Sequence, residues 1–125
     1  MTALELVRQF WETMQSNDFR AASRLLAEDY VLEWPQSGER VRGPENFARI
    51  NEAYPAQGLW RFTIHQIVGN ETEAVSDVSV TDGVIQGRAI TFSTVRDGKI
   101  IRQVEFWPEN YPAPDNRRHL VERME

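Results

Sequence analysis

The sequence predicts an α+β domain whose helices are kept apart from its sheet. Two observations carry this: apolar residues recur at helical spacing in three stretches before residue 55, and from Trp60 onward the period is two. The order helix, helix, strand, helix and then four consecutive long strands places the helices on one side of an antiparallel meander. At 125 residues the chain is long enough for one domain with a core that needs neither disulfides nor metal.

The elements follow in order. Leu4, Val7, Phe10, Trp11 and Met14 form one stripe with Glu5, Arg8, Gln9, Glu12 and Thr13 between them, so residues 3 to 16 read as an amphipathic helix. Ser16-Asn17-Asp18 supplies a break and an N-cap, and Phe19, Ala22, Leu25 and Leu26 are the inward stripe of a short second helix. Tyr30, Leu32 and Trp34 alternate with Asp29, Val31 and Glu33 in a strand closed by Pro35, which cannot donate to a ladder. Gln36 to Glu39 is a turn, and Arg40 to Arg42 suits a short edge strand. Gly43-Pro44-Glu45 opens a third helix, with Pro at its first position, an apolar face of Phe47, Ile50 and Tyr54, and Pro55 as its stop. The four strands are Trp60 to Val68, Glu73 to Val80, Val84 to Val95 and Lys99 to Trp107. Residues 1–112 form the domain, and 113–125 read as a tail with at most a short helix from Asp115 to Met124.

Charge and composition exclude several classes. Lys and Arg number 14 against 19 Asp and Glu, for a net charge of −5, and the basic residues form no stripe, which argues against nucleic acid. With no cysteine there is no disulfide framework, thiol nucleophile or thiolate metal site. The N-terminus breaks its apolar pattern with charges, so neither a signal peptide nor a membrane span is expected, and a cytoplasmic location follows. His65 and His119 lie far apart without a metal-binding carboxylate pattern. No Gly-rich phosphate loop precedes a helix and no Gly-x-Ser-x-Gly elbow exists, so no cofactor is expected.

The last hairpin decides the function. One of its faces carries Ile90, Phe92, Ile100, Val104 and Phe106, and the other Ala89, Thr91, Ser93, Gln103, Glu105 and Trp107. Thr81-Asp82-Gly83 and Arg96-Asp97-Gly98 each put Gly third in a three-residue loop, where a type I turn followed by an αL glycine is favoured. That pairs Val80 with Val84 and Val95 with Lys99, so Asp77 opposes Gly87, Ala89 opposes Glu105, and Thr91 opposes Gln103. Asp77 then shares a face with Glu105 and Trp107. A two-residue turn at Asp82-Gly83 would instead pair Asp77 with Arg88 and send it to the other face.

The segment QFWETMQSNDFRAASRLLAEDYVLEWP, then VRGPENF, then DGKIIRQVEFW, resembles the nuclear transport factor 2-like superfamily, in particular its ketosteroid isomerase and SnoaL-like branches. The likeness runs to about Tyr111. It implies a cone-shaped, curved antiparallel sheet of the cystatin-like kind, wrapped around the N-terminal helices to leave a deep pocket. It also implies that Trp107 points into that pocket, and Glu105, Gln103 and Thr91 follow it inward by alternation. Ile90, Phe92, Val104 and Phe106 are then left on the convex face, where a homodimer would cover them. Ketosteroid isomerases carry a pocket Tyr, a general-base Asp and a second pocket Asp; the matching positions here are Phe10, Trp34 and Thr91.

The expected ligand is a small, largely apolar molecule, and two kinds of activity fit. As a cofactor-free isomerase, cyclase or hydratase, the protein would use Asp77 or Glu105, desolvated among Phe10, Trp34 and Trp107, as acid or base, with Gln103 or Thr91 orienting the substrate. As a binding module, the same pocket would hold a ligand without turnover. Asp77 or Glu105 could instead pair with an arginine such as Arg49 or Arg61, or face water. His65 is a candidate proton carrier or a surface strand residue. Trp34, Trp107, Phe10 and Tyr54 could form a ligand wall or simply be core. Gly87 and Ala89, small residues on the inward face, leave a cavity unfilled or mark a bend.

Overall fold

In the computed structural model, which describes residues 1–124, Thr2 starts the first helix, α1 (Ala3–Gln15). Its hydroxyl accepts from the Glu5 amide at 3.1 Å while the Glu5 carboxylate reaches back to the Thr2 amide, so two end-of-helix donors are satisfied at once. Asn17 follows with φ of +62°, and Asp18 caps α2 (Phe19–Ser23) through the Ala21 amide. Next come β1 (Leu26–Trp34), β2 (Glu39–Arg42), α3 (Gly43–Ala53) with Pro44 in its first turn, β3 (Arg61–Gly69), β4 (Glu73–Thr81), β5 (Gln86–Arg96) and β6 (Lys99–Phe106). Beyond them a short 3-10 helix (Asp115–Leu120) lies exposed in the tail, tighter and shorter than the helix expected up to Met124.

All six strands form one curved sheet in the order β2-β1-β6-β5-β4-β3. The pairings are antiparallel except β1 with β6, which is parallel. The helices cover the concave face. Phe10, Trp11, Met14 and Val7 from α1 pack with Phe47 of α3 against Ala74, Val78, Ala89 and Ile100 of the sheet, and the Trp11 indole donates to Ser76 Oγ at 2.9 Å inside this core. No helix among the described residues is long and apolar enough to cross a membrane.

Both glycine turns differ from the three-residue form. Between β4 and β5, Thr81 opposes Gln86 across a four-residue loop, because the buried Asp82 carboxylate gathers the Val84 and Ile85 amides with one oxygen and the Gln57 amide with the other. Asp77 therefore opposes Ile90, not Gly87, and lies on the convex face. Between β5 and β6, Asp97 and Gly98 both have positive φ, at 53° and 75°, and form a two-residue turn that pairs Arg96 with Lys99. A bulge then adds one residue on β6: Val95 opposes Ile100, but Thr94 opposes Arg102. The shorter turn and the bulge cancel in parity, so Thr91 meets Glu105 and Ser93 meets Gln103 on the concave face. Ile100, grouped by alternation with the apolar face of the hairpin, lies on the concave side of the bulge and is fully buried.

Candidate functional site

Between the helices and the concave face is a cavity of about 540 Å³, within the range that holds small organic molecules. Its walls are mostly aromatic: Phe10 from α1, Phe47 from α3, Trp34 at the end of β1, and Trp107 just past β6. Tyr54 and Trp60 close one side, edge to face with ring centres 5.8 Å apart. Trp60 is fixed by the α1–α2 turn, where the Asn17 side chain bonds both its amide (2.9 Å) and its carbonyl (2.8 Å).

Glu105 faces this cavity from β6 and is 8% exposed. Oε1 accepts from the Trp34 indole at 3.0 Å and the Trp107 indole at 3.1 Å, while Oε2 accepts from the Thr91 hydroxyl at 2.6 Å. Burial pushes its carboxyl above the usual range, against the opposing pull of those three donors. No cation pairs with it among the described residues. Thr91 itself is fully buried and reaches Glu105 rather than the cavity wall. Behind Glu105 a second polar chain crosses the sheet: Tyr30 donates to Gln103 Oε1 at 2.5 Å, and Gln103 Nε2 donates to Ser93 Oγ at 3.1 Å. Burial, and then the Glu105 charge, hold the Tyr30 phenol well above its ordinary range, so it remains a neutral donor.

Two small features hold the tryptophans in place. The Gln36 side chain, just beyond β1, receives the Trp107 amide at 2.5 Å and donates to its carbonyl at 3.2 Å, extending the β1–β6 ladder by a side-chain rung. At Gly87 a Cβ would come within 3.2 Å of the Trp107 ring, so the missing side chain leaves room for the indole that bonds Glu105.

The structure therefore brings Glu105, Phe10, Trp34, Tyr54, Gln103 and Trp107 around one cavity, with Thr91 as a buried support. It does not bring Asp77 or His65 there. Asp77 pairs with Arg88 through two bonds of 2.5 and 2.7 Å on the convex face, and this guanidinium holds its carboxyl below the ordinary range. His65 is the exposed bulge residue of β3, with Nε2 2.6 Å from Ser79 Oγ on that same outer face. Sequence reasoning missed Trp60, whose wall position is set by a side-chain clamp from Asn17. It also missed Glu39 and Glu109 at the cavity mouth, since Glu39 falls in a segment read as a turn and Glu109 lies beyond the last expected strand. Among the described residues no cluster of His, Asp and Glu is placed to hold a metal ion.

Comparison with known proteins decides the family. The SnoaL-like domain profile matches residues 7–103. The chain belongs to the SnoaL-like family. A protein of Kribbella flavida DSM 17836, provisionally called a ketosteroid isomerase, is 35% identical to this SnoaL-like chain, with a TM-score of 0.88 over 97% of this chain and 88% of that one. A nuclear transport factor 2-like protein of unknown function from Burkholderia xenovorans LB400 shares the fold at 21% identity and a TM-score of 0.80, over 97% and 94% of the two chains. An epoxide hydrolase of the LEH-like kind from M. tuberculosis does so at 21% identity and 0.69, over 85% and 82%. Among curated proteins, none matches the SnoaL-like chain.

Proposed function

We propose that this SnoaL-like domain binds a small, largely apolar molecule in its concave cavity and exchanges a proton with it at Glu105, without a cofactor. The observation that supports this is Glu105 itself: a carboxylate on the cavity wall, 8% exposed, with its pKa raised and, among the described residues, no arginine or lysine paired with it. A structural acid is usually paired, as Asp77 is with Arg88. An unpaired, desolvated one beside a cavity is suited to general acid or base work. An ionised carboxylate offers about four acceptor sites, and the two indoles and Thr91 occupy three, leaving one to take a proton from a ligand C–H or from water held against it. Returning that proton to another carbon of the resulting enolate completes an isomerisation. In an aldol-type cyclisation the enolate carbon bonds to a second carbonyl carbon and the proton goes to the oxygen whose π bond breaks. In a hydration the hydroxide left from water adds to one carbon of a polarised double bond and the proton to the other.

On the convex face, Phe92, 47% exposed, stacks edge to face with Phe106. With Ile90 and Val104 beside them, this patch supports a homodimer with the two pockets facing away from the shared sheet surface.

Incubating the protein in deuterated water with cyclic ketones and enones tests the proton-transfer reading. Deuterium should enter the carbon next to the carbonyl of a molecule that binds, and Glu105→Gln should slow this at least ~100-fold. A molecule that binds in the cavity but exchanges no faster with the wild type than with Glu105→Gln would limit the pocket to binding.

A further inference from the structure

The charge on the cavity wall has one sign. Glu39, Glu105 and Glu109 line it, and among the described lining residues there is no lysine, arginine or histidine. Arg40, next to Glu39, pairs with Glu33 at 2.9 Å, and Arg20, next to the lining Phe19, pairs with Glu45 and Glu52. An anionic ligand would enter against this field and meet no counter-charge. A neutral ligand brings no counter-charge, so beside it burial favours the protonated form of Glu105. A cation meets two complementary features: the open acceptor site on Glu105, and the electron-rich faces of an aromatic lining.

We propose that the cavity takes an apolar amine in its protonated form, a primary or secondary ammonium whose N–H donates to Glu105 and whose hydrocarbon remainder lies against Trp34, Trp60, Phe10 and Phe47. The inference rests on the cavity being the ligand site, as proposed above, but does not depend on turnover. Glu39 and Glu109, exposed at the mouth, draw such a cation inward and turn away carboxylates and phosphates. The apolar walls select against strongly hydrated amines, because only a hydrocarbon substituent gains from leaving water there.

Three probes of nearly equal shape separate the cases: cyclohexylmethylamine, cyclohexylmethanol and cyclohexylacetate. Each is titrated into the full chain at neutral pH by calorimetry, with tryptophan emission as a second signal because two indoles sit on Glu105. The amine should bind at least ~10-fold more tightly than the alcohol, the worth of one charge-assisted bond to a buried carboxylate, and the carboxylate should bind weakest. In Glu105→Gln the amine should lose its advantage and fall to the level of the alcohol measured in the same variant. Should that variant fail to fold, the double variant Glu39→Gln, Glu109→Gln at low ionic strength should narrow the amine-to-carboxylate gap by about threefold or more. An alcohol that binds the wild type as well as the amine overturns the inference while leaving the cavity as a ligand site. So does an amine preference that survives Glu105→Gln, or a gap that the double variant leaves unchanged. If none of the three probes binds, the inference and the ligand-site reading fall together.

Discussion

Replacing Thr91 with valine isolates the one hydroxyl that supports Glu105 from inside the sheet. Thr91 is fully buried, and its Oγ1 lies 2.6 Å from Glu105 Oε2, so Thr91→Val keeps the shape and removes only the donor. A hydrogen bond to a charged partner contributes ~1.5–3 kcal/mol and one to a neutral partner ~0.5–1.5, so the variant should lose about 1 kcal/mol more when Glu105 is ionised than when it is protonated. That difference corresponds to a further rise of about 0.7 unit in the Glu105 pKa. The folded pKa of Glu105 already lies above the ordinary carboxylate value, so in the window between the two the native state binds more protons than the unfolded chain. Glu105 therefore favours folding in acid, and that contribution is lost as pH rises through the folded pKa. Thr91→Val moves the upper end of that window upward, so its destabilisation must grow with pH. Urea unfolding of both proteins, followed by tryptophan emission from acid to mildly alkaline pH, gives the difference directly, and the titrations of Asp77, Asp82 and Glu33 cancel in it. A destabilisation that is constant with pH, or largest in acid, would refute the linkage between Thr91 and an ionising Glu105.

Three further outcomes follow from other positions. Asp77→Asn should leave ligand binding and any turnover unchanged, because Asp77 is on the convex face and its partner Arg88 is half-exposed; the same probe titrations check this. Gly87→Ala should push the Trp107 ring by a few tenths of an ångström, cost about 1 kcal/mol in urea unfolding and shift tryptophan emission, since the new methyl would otherwise sit 3.2 Å from that ring. Asp82→Ala should lower the melting temperature at neutral pH by freeing three amides. Backbone donors hold the Asp82 carboxyl below its ordinary value, so its stabilisation is present above the unfolded pKa and disappears as pH falls through the lower folded one; the penalty should therefore shrink in strong acid.

The sidedness of the last hairpin followed from the resemblance, which turns Trp107 inward, while the turn reading beside it was partly wrong. Alternation from Trp107 through Glu105 and Gln103 needs only an unbroken strand, and β6 is unbroken there. The turn before it is one residue shorter than the glycine pattern suggests, and a bulge restores the parity. A bulge is set by how β6 must bend beside β1, which no local pattern encodes. Where no second change compensated, the reading failed. Asp82 bonds the distant Gln57 amide as well as its own loop, and this tertiary anchor lengthens the turn and rotates Asp77 out of the pocket. Two helix starts were readable because Asp18 and Pro44 act locally, but the second helix stops at Ser23, and Leu26, expected on its inward stripe, opens β1. The Tyr30–Gln103–Ser93 chain was not, since its members lie on three different strands and meet only once the parallel β1–β6 pairing is known.

Glu105 is the group on which the account turns, and its ionisation can be read on its own carbon. In protein labelled with ¹³C at the glutamate carboxyl, the signal absent from Glu105→Gln identifies it, and its chemical shift followed against pH gives its pKa. Titration clearly above the ordinary value of 4.5 is expected for a carboxylate buried without a cation. Titration at or below 4.5 would show a solvated or charge-paired acid and contradict the assignment of this cavity as a proton-exchanging site.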